Sequence, residues 1–185
     1  MFLEFIVNFL RGEVIWHRLI AAVSTIPNAE AWLWSAALLG VYTLIALPVG
    51  FRADFIKVDI QKSWVVVIGV IVGSLLRPAI TEELFFRVLL LPHATENASP
   101  AALWFWGLGS LVIFIVYHPL NAMTFFPVAG ETFLNPIFLF LAALLGAICT
   151  ISYWQSGSLW PPVVIHWVIV AVWLLLLGGY QKLYA

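Results

Sequence analysis

The sequence predicts an all-α fold, a polytopic membrane bundle of about five transmembrane helices with an N-terminal amphipathic helix ahead of them. Three observations carry this. Of 185 residues, 64% are apolar and only 9% charged, with a mean hydropathy of +1.07, far from the balance of a water-soluble domain. Several apolar runs approach or reach the roughly 20 residues needed to cross a hydrocarbon core. Trp32, Trp34, Trp64, Trp104, Trp106, Trp154 and Trp160 fall near the ends of those runs, where amphipathic rings favour the headgroup level.

Taken in order, the first residues lack a basic leader region and carry Glu4, Arg11, Glu13 and Arg18, so they read as mature protein rather than a cleaved signal. Phe2, Phe5, Ile6 and Phe9 recur at helical spacing, which predicts an interfacial amphipathic helix rather than a span. Runs 31–50 and 134–153 are unbroken spans; 160–179 is interrupted only by His166, and 101–117 is shorter and ends against His118. The run 63–91 contains Arg77, Glu82, Glu83 and Arg87, so hydropathy ends that helix near Ile80, with Pro78 as the breaker. Pro119 likewise predicts that the helix carrying His118 ends or bends there. With short loops and no internal repeat, the chain divides into an N-terminal interfacial segment (1–30), a first span and loop (31–63) and a single core (64–180). Arg52, Lys57 and Lys62 place the loop after the first span on the cytoplasmic side, while Arg11 and Arg18 pull the other way.

A formal net charge of −1 and a pI near 6.4 offer no basic stripe, so nucleic acid is not a partner. Cys149 is the single cysteine, which excludes an intramolecular disulfide and a thiolate zinc cluster. The partner this composition implies is the lipid bilayer, and the localisation is integral and multi-pass.

Chemistry concentrates in one place. Four of the seventeen charged residues lie within the eleven positions from Arg77 to Arg87, although a charge at the bilayer centre costs at least about 2.5 to 3.5 kcal/mol. Glu83 and Arg87 stand at i and i+4 with the acid first, the favoured order for a helical ion pair. Glu82 points about 100° away from Glu83, free to face a cavity. Arg77 reads as a span-end charge snorkelling to the headgroups. His118 and His166 interrupt apolar sequence, where an unpaired imidazole is costly; a hydrogen bond to a backbone carbonyl would explain either one, but not the whole set. Ser156 and Ser158 have no base adjacent in sequence and Cys149 has no nearby histidine, so covalent catalysis is the poorer reading. Two glutamates and two histidines could ligate zinc, yet H-E-x-x-H is absent, and metal is the second option.

The order E-E-x-x-x-R (Glu82, Glu83, Arg87), F-x-x-x-H (Phe114, His118) and a late helical His166 after SGSLWPP resembles the CAAX-protease and bacteriocin-processing intramembrane endopeptidases over about residues 64 to 180. The resemblance implies a glutamate-dependent, metal-independent protease with no cofactor, whose partner is a membrane-associated peptide or protein substrate. Glu82 would activate water, His118 would hold and polarise it, His166 would bind the oxyanion, and Glu83 with Arg87 would be the supporting ion pair. Low-dielectric surroundings suit such a site, because they strengthen both a general base and oxyanion donors. One position departs from the pattern: where the family carries Asn or Asp four residues after the last histidine, this chain has Val170, and Asn121, three residues after His118, is the possible oxyanion substitute. Val170 supports an alternative reading as a catalytically weak member acting as a membrane binding or immunity protein. A further alternative is a proton or ion carrier using Glu82, His118 and His166 as a relay; the short chain without a repeat speaks against it.

Overall fold

A computed structural model describes residues 12–184. The proposed amphipathic helix built on Phe2, Phe5, Ile6 and Phe9 lies outside the described residues. Within them, α1 (Glu13–Ser24) leads to α2 (Ala29–Arg52), then α3 (Trp64–Ser74), which continues through a broken segment, Leu75–Ile80, into α4 (Thr81–Glu83) and a wide-wound stretch, Leu84–Leu89. After a short loop come α5 (Pro100–Thr124), α6 (Gly130–Phe133), α7 (Pro136–Ser156), α8 (Trp160–Leu176) and α9 (Gly179–Tyr184).

Local chemistry sets the helix ends. The side chains of Asn28, Ser99 and Asn135 accept the backbone N–H groups of Ala31, Ala102 and Ile137, and prolines at the first turns of α5, α7 and α8 need no N–H partner. Gly157 ends α7 in the left-handed conformation at φ 61°, which a residue with a Cβ adopts at a cost.

Among the described residues, four helices are long and apolar enough to cross a membrane: Ala29–Arg52, the broken helix counted through Glu96, Pro100–Thr124 and Pro136–Ser156. The fifth predicted span, α8, is shorter than its apolar run. It stops at Leu176 because the carbonyls of Leu175, Leu176 and Leu177 turn outward to accept from Gln61, Asp59 and Lys57 of the α2–α3 connection. At 17 residues it is about 26 Å long, just short of a typical hydrocarbon core.

α7 is the central helix. Half of its most apolar window is buried inside the protein, against 17% for each of the other three long helices. Those three turn apolar faces outward, with Leu33, Leu44, Val65, Trp104, Phe105 and Val112 all exposed, a surface that only lipid solvates well. Glycines let helices close on α7: a Cβ on Gly107 would stand 2.5 Å from the Trp154 ring, and one on Gly146 would stand 2.8 Å from Leu111 and 3.0 Å from Phe114.

Two sequence expectations need correction. The helix bearing the acidic pair does not end near Ile80. Arg77 leaves the helical region (φ −144°, ψ 113°), as a residue before proline tends to, but the chain resumes its helical course to Leu89 because Glu83 and Arg87 face the interior, both fully buried. Arg77 is therefore at a break within a span and not at its end. The second correction concerns α5, which runs on through Pro119 to Thr124; one lost backbone hydrogen bond does not outweigh the packing that holds this helix.

α1 is fastened to the same end of the bundle as the loop after the broken helix. The buried Arg18 guanidinium donates to both Glu96 carboxylate oxygens, at 2.6 and 2.8 Å, and to the Leu89 carbonyl at 2.9 Å. Ala22 packs with Val88, Leu91, Tyr153, Leu159 and Val163, and Ser158 and Trp160 donate to the carbonyls of Thr25 and Val23.

Candidate active site

Between α2, the broken helix, α5, α7 and α8 lies a cavity of about 1020 Å³. Most of its wall is aliphatic or aromatic. Into that wall the fold brings Glu82, His118 and His166, with Asn121 and Val170 also on it; sites of this size with few polar groups are the usual form of a small-ligand or peptide pocket.

Glu82 and Glu83 share one turn, and their directions diverge as helical geometry requires. Glu83 turns away from the cavity. Its Oε2 stands 3.1 Å from Arg87 Nε, one turn on, with neither side chain exposed. The approach is bent away from a straight hydrogen bond, so it is a charge pair first. The guanidinium also lies 5.2 Å from the centroid of the Phe114 ring, in cation–π range. Glu83 Oε1 takes a second partner, accepting from His166 Nδ1 at 2.7 Å. No sequence pattern announced this contact, which joins residues 83 positions apart. A carboxylate opposite Nδ1 keeps a proton there and turns Nε2 toward Glu82, whose Oε2 is 3.9 Å away. That distance exceeds a hydrogen bond and matches a gap bridged by another group.

His118 is set differently. Its Nδ1 is 2.9 Å from the Phe114 carbonyl; since a carbonyl only accepts, Nδ1 carries the proton and Nε2 keeps the lone pair in the neutral ring. The ring is fixed by edge-to-face contacts with Phe114, Tyr117, Phe133 and Phe138 at centroid distances of 5.0 to 5.6 Å. Phe114 is the common plate, since it also stands 6.2 Å from the His166 ring. This places the first residue of F-x-x-x-H in contact with three of the other polar groups.

The arrangement has the parts for proton transfer next to an anion-stabilising donor: a carboxylate facing the cavity, one imidazole with a lone pair and one imidazole oriented by a second carboxylate. Among the described residues, no group of three or more His, Cys, Asp or Glu converges as a metal site. Sequence reasoning missed Arg77 and Tyr117, which also line the cavity. The signal for Tyr117 was only its adjacency to His118; for Arg77 it was the proline that follows.

Comparison with known proteins gives one positive finding. A family model described as type II CAAX prenyl endopeptidase Rce1-like matches residues 62–172, well over half of the chain and all of the residues named in the cavity except those of α2, the α2–α3 connection, α9 and the end of α8. No curated protein and no solved structure matches.

Proposed function

The chain belongs to the type II CAAX prenyl endopeptidase Rce1-like family, and from that premise we propose that it is a multi-pass intramembrane endopeptidase that hydrolyses a peptide bond of a membrane-associated substrate through a water activated by Glu82. The observation that carries this reading is the cavity wall, where Glu82 is the one Asp or Glu among the described residues, with His166 Nε2 3.9 Å from its Oε2 and His118 on the same wall in apolar surroundings.

In this mechanism the attacking water lies between Glu82 and His118 Nε2. Glu82 takes one water proton as the oxygen bonds to the scissile carbonyl carbon, and His118 accepts the hydrogen bond from the other. The carbonyl oxygen becomes an oxyanion. His166, its ring held by the Nδ1–H bond to Glu83, directs Nε2 at that oxyanion as a donor, and the Asn121 amide supplies a second donor from α5. When the C–N bond breaks, the proton held on Glu82 passes to the leaving amine, which restores the carboxylate. Arg87 keeps Glu83 in place and offsets its charge.

Val170 favours the second reading, a binding protein that keeps the fold. It lines the cavity on α8 one turn beyond His166, where the resemblance leads one to look for Asn or Asp. Glu82→Gln separates the two. The amide keeps the shape but takes no proton from water, so cleavage of a prenylated CAAX peptide by the purified protein should fall by about 10² to 10⁴ while the protein stays folded. Unchanged cleavage would remove Glu82 from the chemistry; a wild-type protein that binds the peptide and never cleaves it would establish the second reading. Chelator treatment completes the test, since a zinc enzyme loses activity reversibly and a glutamate enzyme does not.

A further inference from the structure

Arg77 is the one Lys or Arg on the cavity wall among the described residues, as Glu82 is the one Asp or Glu. The chain's other two arginines at this depth and in α1, Arg87 and Arg18, are buried and paired with carboxylates. Arg77 is different. Its side chain is accessible, and no carboxylate lies within 4.0 Å of it among the described residues. A guanidinium without a counterion in an apolar membrane cavity is expensive, and an accessible one is available to an anion that enters.

The backbone supplies the placement. Arg77 sits at the break in the helix, extended rather than helical, so its side chain leaves from the bend into the cavity instead of following the helix face. Across from it, Tyr117 of α5 lines the same wall, adding a hydroxyl that donates to an anion.

We propose that Arg77 anchors the terminal carboxylate of the substrate peptide. This rests on the endopeptidase reading above and specifies which end of the peptide enters first. A CAAX motif is a four-residue C-terminal tail, so any bond inside it lies at most three residues, about 10 Å of extended chain, from the terminal carboxylate. From Pro78 to Glu82 the helical course rises on the order of 6 Å, Arg77 lies one peptide before it at the break, and a long side chain extends that reach. A carboxylate held at Arg77 therefore leaves a bond of the tail beside Glu82, with like charges kept apart. Planar bidentate pairing of guanidinium and carboxylate makes the anchor selective for a free terminus over an amidated one.

The test uses two farnesylated peptides that differ only in a terminal carboxylate or carboxamide, and measures their binding to detergent-solubilised Glu82→Gln protein, which does not consume them. The acid should bind about 10- to 100-fold tighter than the amide. Adding Arg77→Gln should erase that preference and leave affinity for the amide unchanged, a result that a misfolded variant could not give; Arg77→Lys should restore part of it. Equal binding of the two peptides, no measurable binding of the acid, or equal weakening of both by Arg77→Gln would overturn the anchor. Cleavage by the unsubstituted protein separates this from the broader reading: hydrolysis of both peptides with equal KM leaves the endopeptidase standing without the anchor, whereas a persistent acid preference without hydrolysis leaves the anchor standing without the endopeptidase.

Discussion

Glu83 has two partners, and this distinguishes it from its neighbour Glu82. With Arg87 at 3.1 Å and His166 Nδ1 at 2.7 Å, it joins a charge pair on one helix to an imidazole on another, so damage to the pair reaches the site. Arg87→Ala would leave the Glu83 carboxylate buried with its charge uncompensated, at about 3 to 5 kcal/mol. Its expected outcome is reduced accumulation in the membrane and a lower Tm in detergent; wild-type levels and Tm would mean that the pair contributes nothing to folding. Val170 poses the opposite question, what an absent group costs. A missing oxyanion donor lowers turnover by about 10² to 10³. If Asn121 does not fill that role, Val170→Asn should raise kcat by up to that factor with little change in KM. An unchanged kcat in folded protein would show that another donor already serves. The motif positions were legible because charge at membrane depth is rare and each such residue stands out. The Glu83–His166 contact was not, since it depends on how α8 packs against the broken helix, and neither segment's sequence encodes that alone.

At the level of elements, the broken helix is the part that everything else supports. Its far end is held by α1, where Arg18 bridges Glu96 and the Leu89 carbonyl, although α1 lies outside the family match. The guanidinium is nearly inaccessible while Glu96 is about a quarter exposed, so the pair falls between a surface bridge and a buried one, worth about 1 to 3 kcal/mol. Arg18→Lys keeps the charge but loses the fork that reaches three acceptors; it should lower Tm, and Arg18→Ala should lower it further. Equal Tm in wild type and Arg18→Ala would mean that α1 rests on the bundle without stabilising it. Hydropathy located the four long helices because lipid-facing residues must be apolar along the whole crossing. It misplaced the end of the broken helix and gave α8 three residues too many, for opposite reasons. In the first case polar side chains turned inward to partners; in the second the backbone left the helix to pair with the α2–α3 connection although the side chains stayed apolar.

For the whole molecule, the succession of five apolar helices puts alternate connections at opposite ends of the bundle. One end carries Arg52, Lys57, Lys62 and Lys182, and the other, among the described residues, carries Arg18, whose charge is buried against Glu96. The Lys57–Asp59 pair at 3.7 Å is exposed on both sides and does not cancel the bias, because orientation follows Lys and Arg more than net charge. On that bias we propose that the Lys57 end faces the cytoplasm. Phe55, Ile56, Phe125, Phe126 and Tyr184 at that same end line the cavity, so in the proposed orientation a substrate would enter it from the cytoplasmic leaflet. Single-cysteine labelling tests this without removing the native thiol, since Cys149 is fully buried and out of reach of a water-soluble maleimide. In intact cells, an impermeant maleimide should label Asn97→Cys, at the opposite end, and should label Lys57→Cys only after the membrane is permeabilised. Labelling in the reverse order would invert the orientation and move substrate entry to the outer leaflet. Labelling of both sites from outside would place an even number of crossings between them, in conflict with the broken helix passing through the membrane as one span.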